Sequence, residues 1–271
     1  MAAIDPLHQF AIEKVVALPP VNLPGLGPID LSITNSVVAM LIAAAAICLF
    51  LTVAAKGAVV PGRLQTVGES LYGLVEGLTS SMIGHEGKKY FPFVFTLFTF
   101  IMFMNLFGLL NLVGLPNMHM FTPTSQVAVT AALAIITIGL VIIVGFVKNG
   151  LGFFKLFVPS GVPVFILPFL VLIEFISFLV RPVTLTLRLF GNMLGGHVVL
   201  AIFGAFVAAL GGYALSTGGG AYAALIPSAL SFFMVVALTA LELIVGFLQA
   251  FVFAALACVY LNDVVNLGHG H

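Results

Sequence analysis

The stretch RPVTLTLRLFGNMLGGH, residues 181–197, places two arginines, an asparagine and a histidine inside one of the most apolar parts of a very apolar chain. Its reading turns on what permanent positive charge does in a segment built for lipid. Hydrophobic residues make up 62% of the 271 and charged residues only 7%, against roughly 25% charged in a soluble domain. An all-α integral membrane protein is therefore expected. Lys and Arg number nine, as do Asp and Glu, and zero net charge argues against nucleic acid as a partner. Cys48 and Cys258 lie in apolar helical stretches, which favours small buried hydrophobes over a disulfide or metal ligands. Neither a metal site nor a cofactor is expected.

Outward from that stretch, apolar character fills residues 162–210 and returns over 221–263. Each run is about twice the roughly 20 residues that cross a bilayer at right angles, so two long, strongly tilted helices forming a hairpin are expected. Upstream, 37–55 reads as one perpendicular span and 90–147 as a helical hairpin. Between them, Leu64, Val67, Leu71, Leu74, Val75, Leu78 and Met82 recur by threes and fours, with Glu69 and Glu76 elsewhere on the turn. That pattern fits an amphipathic helix over 61–86, lying on the membrane surface. All of this forms a single membrane domain preceded by an outside segment, 1–36. That segment has no basic start followed by an apolar core, so neither a cleavable signal nor a transit peptide is expected.

Loop charges give the orientation. Lys56, Arg63, Lys88, Lys89, Lys148 and Lys155 fall on one side, and Lys14 alone on the other. The N-terminus is expected outside and the C-terminus in the cytoplasm, in a bacterial inner membrane rather than a mitochondrial one.

Two polar clusters lie within the long helices. Glu174, Ser177, Arg181, Arg188, Asn192 and His197 form the first; Ser228, Ser231, Glu242, Gln249, Tyr260 and Asp263 form the second. At about 100° per residue, Glu174, Arg181, Arg188 and Asn192 share a face, whereas His197 points half a turn away. The helices run antiparallel, so setting Arg188 level with Gln249 also brings Glu174 level with Asp263, and His197 within two residues of Glu242. The result is one polar group toward the outside, one toward the inside, and a fixed charge between. Blander readings exist for each: Arg181 can snorkel to headgroups, Gln249 can be interhelical glue, and Asn105 and Asn111 can bond across the hairpin. His119, His269 and His271 read as solvated.

The segments IEFISFLVRPVTLTLRLFGNMLGGH (173–197) and LELIVGFLQAFVFAALACVYL (241–261) resemble subunit a of the F-type rotary ATP synthase, as does the connector FKLFVPSGVPVFILPFL. The resemblance covers most of the chain and follows the pattern of alphaproteobacterial and mitochondrial members. It implies a tilted hairpin packed against a ring of c subunits, peripheral-stalk b-type subunits as further partners, and two aqueous half-channels for protons. By motif position Arg188 resembles the arginine facing the ring carboxylates, with Gln249 beside it. His197 and Glu242 resemble the polar pair of the outer half-channel, and Glu174 the acid of the inner one. Asn192 joins the site by sharing the Arg188 face and Tyr260 by sharing the face of Glu242 and Gln249, Ser228 and Ser231 join as members of the second cluster, and Asp263 rests on depth alone.

Arginine suits that place because it stays protonated at any working pH. A carboxylate facing lipid must be protonated, but beside Arg188 it can ionise without handing its proton to the partner. An independent proton-coupled secondary transporter is the alternative, although such proteins often show internal repeats and helices broken at the midplane. A purely structural membrane subunit is a further reading, and it leaves the coincident depths unexplained. No nucleotide-binding loop or nucleophile constellation is present, so the chain is expected to have no catalytic site of its own.

Overall fold

A computed structural model describes residues 14–17, 21–23, 27–29, 32–55, 57, 60–110, 122–158, 163, 165–217 and 224–267. His119, His269, His271 and Asn111 lie outside the described residues, as does the rest of 111–121 in the connector between the two helices of the expected hairpin. Among the described residues, six helices dominate: α1 (Asn35–Ala54), α2 (Arg63–Ile83), α3 (Gly87–Leu110), α4 (Val127–Asn149), α5 (Leu167–Thr217) and α6 (Leu225–Val265). Short strands precede them. β1 (Lys14–Val16) pairs antiparallel with β4 (Ile33–Thr34), and β2 (Val21–Leu23) with β3 (Gly27–Ile29).

The two long C-terminal helices expected from the apolar runs are present. α5 has 51 residues and α6 has 41, and at 1.5 Å per residue each is about 60 Å long or more. Pro182 sits inside α5 without ending it. The ring removes one backbone donor, and the carbonyl of Pro182 accepts the Thr186 hydroxyl at 2.8 Å. Among the described residues, five helical stretches are long and apolar enough to cross a membrane: Asn35–Ala54, Arg63–Leu109, Val127–Phe157, Leu167–Leu215 and Leu225–Val265.

The chain divides into two compact units. Residues Met1–Ala43, Phe103–Gln126 and Phe190–Leu248 make up the first. Ala44–Met102, Val127–Leu189 and Gln249–His271 make up the second.

In the first unit, buried Met104, Asn105 and Leu109 of α3 fall on one stripe. Buried Met193, His197 and Leu200 of α5 do the same at helical spacing. The start of α1 is tied in where the Ser36 hydroxyl donates to Gln126 Oε1 at 2.6 Å.

The second unit has the denser apolar core. Val94, Leu97, Phe98 and Ile101 of α3 are buried, as are Ala134, Ile138 and Val141 of α4. Outward faces such as Ile135, Ile136 and Ile143 remain exposed and apolar, as lipid-facing helices require. On α2 the buried positions are Gln65, Val75, Leu78, Thr79 and Ile83. Leu64, Val67 and Leu74 of the expected stripe are exposed instead. The stripe that packs is rotated, because the protein and the surrounding apolar phase compete for the same wide hydrophobic face. A 3-10 run, Gly150–Phe157, follows α4 and seats Phe153 against Phe146 and Phe178, with centroids 4.7 and 6.3 Å apart.

Candidate functional site

Within the first unit the structure brings His197 and Glu242 together. His197 Nδ1 of α5 lies 3.5 Å from Glu242 Oε1 of α6, and both side chains are about 5% exposed. That separation is a charge contact longer than an ordinary hydrogen bond. Gly196 makes it possible, since a Cβ there would fall 2.7 Å from Glu242 Oε1. The short side chain before His197 therefore lets α6 carry a carboxyl against the α5 backbone. Both Glu242 oxygens are sealed from solvent with no hydrogen-bond donor among the described residues. Such a carboxyl is costly alone, and the pair is chemically complete when it holds a proton, on the acid or on the imidazole beside it.

A cavity of about 240 Å³ opens beside this pair, lined by Asn192, Gly195, Gly196, Val199, Leu238 and Leu241 together with Glu242. It has room for several waters on the order of 30 Å³ each. Asn192, expected on the Arg188 face of α5, lines the same cavity as Glu242. Ser228 and Ser231 are buried farther along α6, and the Ser228 hydroxyl donates to the Val207 carbonyl at 3.3 Å.

The polar group continues through residues that spacing on the long helices cannot reveal. Thr122 Oγ1 is 2.9 Å from His197 Nε2, across 75 residues of sequence. Asn105 donates from Nδ2 to the Gly246 carbonyl of α6 at 2.9 Å and accepts from the Thr124 hydroxyl at 2.8 Å. Thr122, Thr124 and Ser125 are all buried around the 3-10 turn that enters α4. The signal available was the run TPTS at 122–125, polar between two apolar spans. Asn105, read as a possible hairpin bond, makes that bond and a second one to α6.

Within the second unit, Asp263 pairs with Arg181, Nη1 to Oδ2 at 3.0 Å. The Arg181 guanidinium also lies 4.7 Å over the Tyr260 ring and 5.6 Å from that of Phe178. Depth arithmetic sets Asp263 opposite Glu174, but the long guanidinium reaches past Tyr260 to take the carboxylate. Arg181, read either as snorkelling to headgroups or as part of the site, makes an ion pair with Asp263. Glu174 and Gln249 are half-buried, and Arg188 is exposed. Among the described residues no carboxylate lies within ion-pair distance of Arg188. Arg188 stands exposed near the middle of a 51-residue apolar helix, on the face that also carries Arg181 and the exposed Thr184, and a charge there is costly without a partner.

The described His, Cys, Asp and Glu residues form no group of three or more that could hold a metal ion. Residues 37–262 match the family model described as ATP synthase A chain. ATP synthase subunit a of Rhodopseudomonas palustris (strain BisB18) is 47% identical over 267 residues, covering 98% of this chain and 100% of that one. The protein of the same name from Chelativorans sp. (strain BNC1) is 48% identical over 269 residues, covering 98% and 100%. That of Hyphomonas neptunium is 49% identical over 266 residues, covering 97% of each. A polar-centred helix pair, five apolar stretches and near-full-length identity agree, and the chain belongs to the ATP synthase A chain family.

Proposed function

We propose that this chain is the stationary membrane subunit through which proton flow turns a ring of c subunits in an F-type ATP synthase. It is multi-pass in a bacterial inner membrane, with its N-terminus outside and its C-terminus in the cytoplasm. Peripheral-stalk b-type subunits hold it against the ring. The single observation that carries the reading is Arg188: a guanidinium exposed near the middle of a long apolar helix, with no carboxylate within ion-pair distance among the described residues. Its carboxylate partner comes from the ring.

In this reading the ring carboxyl arrives protonated from lipid, because an unpaired charge there is costly. Beside Arg188 it ionises and releases its proton, while the guanidinium keeps its own. Gln249 adds a polar neighbour at that level. His197 and Glu242, with Asn192 at the adjoining cavity and Ser228 and Ser231 beyond, form the outer path. Imidazole is suited to passing protons near neutrality. Glu174 is the proton-carrying carboxyl of the inner path, and the Arg181–Asp263 pair with Tyr260 flanks it. Arg188 separates the two paths, so a proton crosses only by riding the ring. The ATP chemistry belongs to other subunits.

Cysteine cross-linking in the assembled complex tests which face meets the ring. With Cys48 and Cys258 replaced, Leu187→Cys is expected to cross-link to a cysteine placed beside the ring carboxylate. Leu189→Cys, buried at 1% exposure, is expected not to. The opposite pattern overturns the proposal.

A further inference from the structure

We infer that Thr122 is the positioning residue of the His197–Glu242 pair, acting through a hydroxyl that matches the imidazole in each of its protonation states. The inference rests on the proton-relay reading above and deepens it.

Three observations carry it. Thr122 is buried at 5% exposure with Oγ1 2.9 Å from His197 Nε2, while Nδ1 of the same ring faces Glu242. Because the two nitrogens lie on different edges of the ring, holding Nε2 fixes the direction of Nδ1. Thr122 is itself held, since its carbonyl accepts the Ser125 hydroxyl at 2.7 Å and the Ser125 backbone N–H at 3.0 Å. Its side chain occupies the space left by Gly108 of α3, where a Cβ would overlap Thr122 Oγ1 and lie 2.6 Å from Cγ2. The glycine on α3, the turn before α4 and the histidine on α5 thus converge on one hydroxyl.

A hydroxyl both donates and accepts. When His197 is an imidazolium, Nε2–H donates to Thr122. Transfer then breaks the Nδ1–H bond, leaves its electron pair on the ring and forms an O–H bond on Glu242 Oε1. The neutral ring keeps Nε2–H on Thr122. In the other neutral tautomer, with the proton on Nδ1, the hydroxyl rotates and donates to the bare Nε2. A backbone carbonyl could serve only the first two states, and an ammonium only the last.

The test is ATP-driven proton uptake by vesicles holding the whole complex, with assembly quantified for every variant. Thr122→Val and Thr122→Ala lack the hydroxyl and are expected to slow uptake about tenfold, the scale of one buried hydrogen bond. Thr122→Ser is expected to stay within about twofold of native. If the hydroxyl-free variants pump at native rates while His197→Ala is slow, the positioning role is wrong and the relay stands. Thr122→Ser as slow as Thr122→Val would mean a packing role, which also overturns the inference. Native rates in His197→Ala would refute the relay reading itself.

Discussion

Arg188 and Glu242 illustrate opposite ways of placing an ionisable group in an apolar phase. The arginine is exposed on its helix, and in the proposed function its partner comes from another chain. The glutamate is sealed, and its surroundings are set by a glycine. At Gly196 a methyl group would come within 2.7 Å of Glu242 Oε1, so the buried carboxyl would have to turn away from its place beside His197. Gly196→Ala is therefore expected to cost about 1–3 kcal/mol through overpacking and to reduce proton uptake. Thermal denaturation of the purified complex and vesicle uptake measure the two effects. An unchanged midpoint would show that the close contact relaxes freely. Asp263→Asn is expected to behave differently, because it removes the partner of Arg181 from a pair whose side chains are 20% and 30% exposed. A partly exposed pair of this kind contributes about 1 kcal/mol, so a small loss of thermal stability with coupled pumping largely retained is expected. Loss of pumping at native stability would instead put Asp263 on the proton path.

Helix by helix, much of the architecture is legible before any coordinates. Runs of apolar residues at 162–210 and 221–263 become α5 (Leu167–Thr217) and α6 (Leu225–Val265), since length and hydropathy dominate in lipid. Antiparallel depth brings His197 to Glu242 because both are buried on facing helices. The partners of these residues are less legible. Thr122 reaches His197 across 75 residues, a contact that no helical period encodes. Asp263 goes to Arg181 because side-chain length, absent from a count of residues per turn, decides which group is within reach. Short strands near the N-terminus escape notice for a different reason, as two- and three-residue pairings leave no alternation to read. The aromatic packing after α4 was also invisible as a core. Phe153 is buried at 4% exposure and touches Phe146, Phe157 and Phe178. Phe153→Ala is expected to cost roughly 3–5 kcal/mol, read as a lowered denaturation midpoint of the complex. A change below about 1 kcal/mol would show that this end of α4 is not a core element.

For the molecule as a whole, the buried His197–Glu242 pair lies in one compact unit and the exposed Arg188 in the other, and in the proposed function a proton passes from one to the other only on a carboxyl of the ring. The central claim is that Arg188 provides a fixed charge to the passing ring. It is tested most directly by ATP-driven proton uptake in vesicles holding fully assembled complexes, comparing native protein with Arg188→Lys and Arg188→Ala. Both variants are expected to assemble and lose coupled pumping, with Arg188→Ala also raising passive proton leak because the barrier between the paths is gone. Native pumping rates in an assembled Arg188→Ala complex would contradict the account.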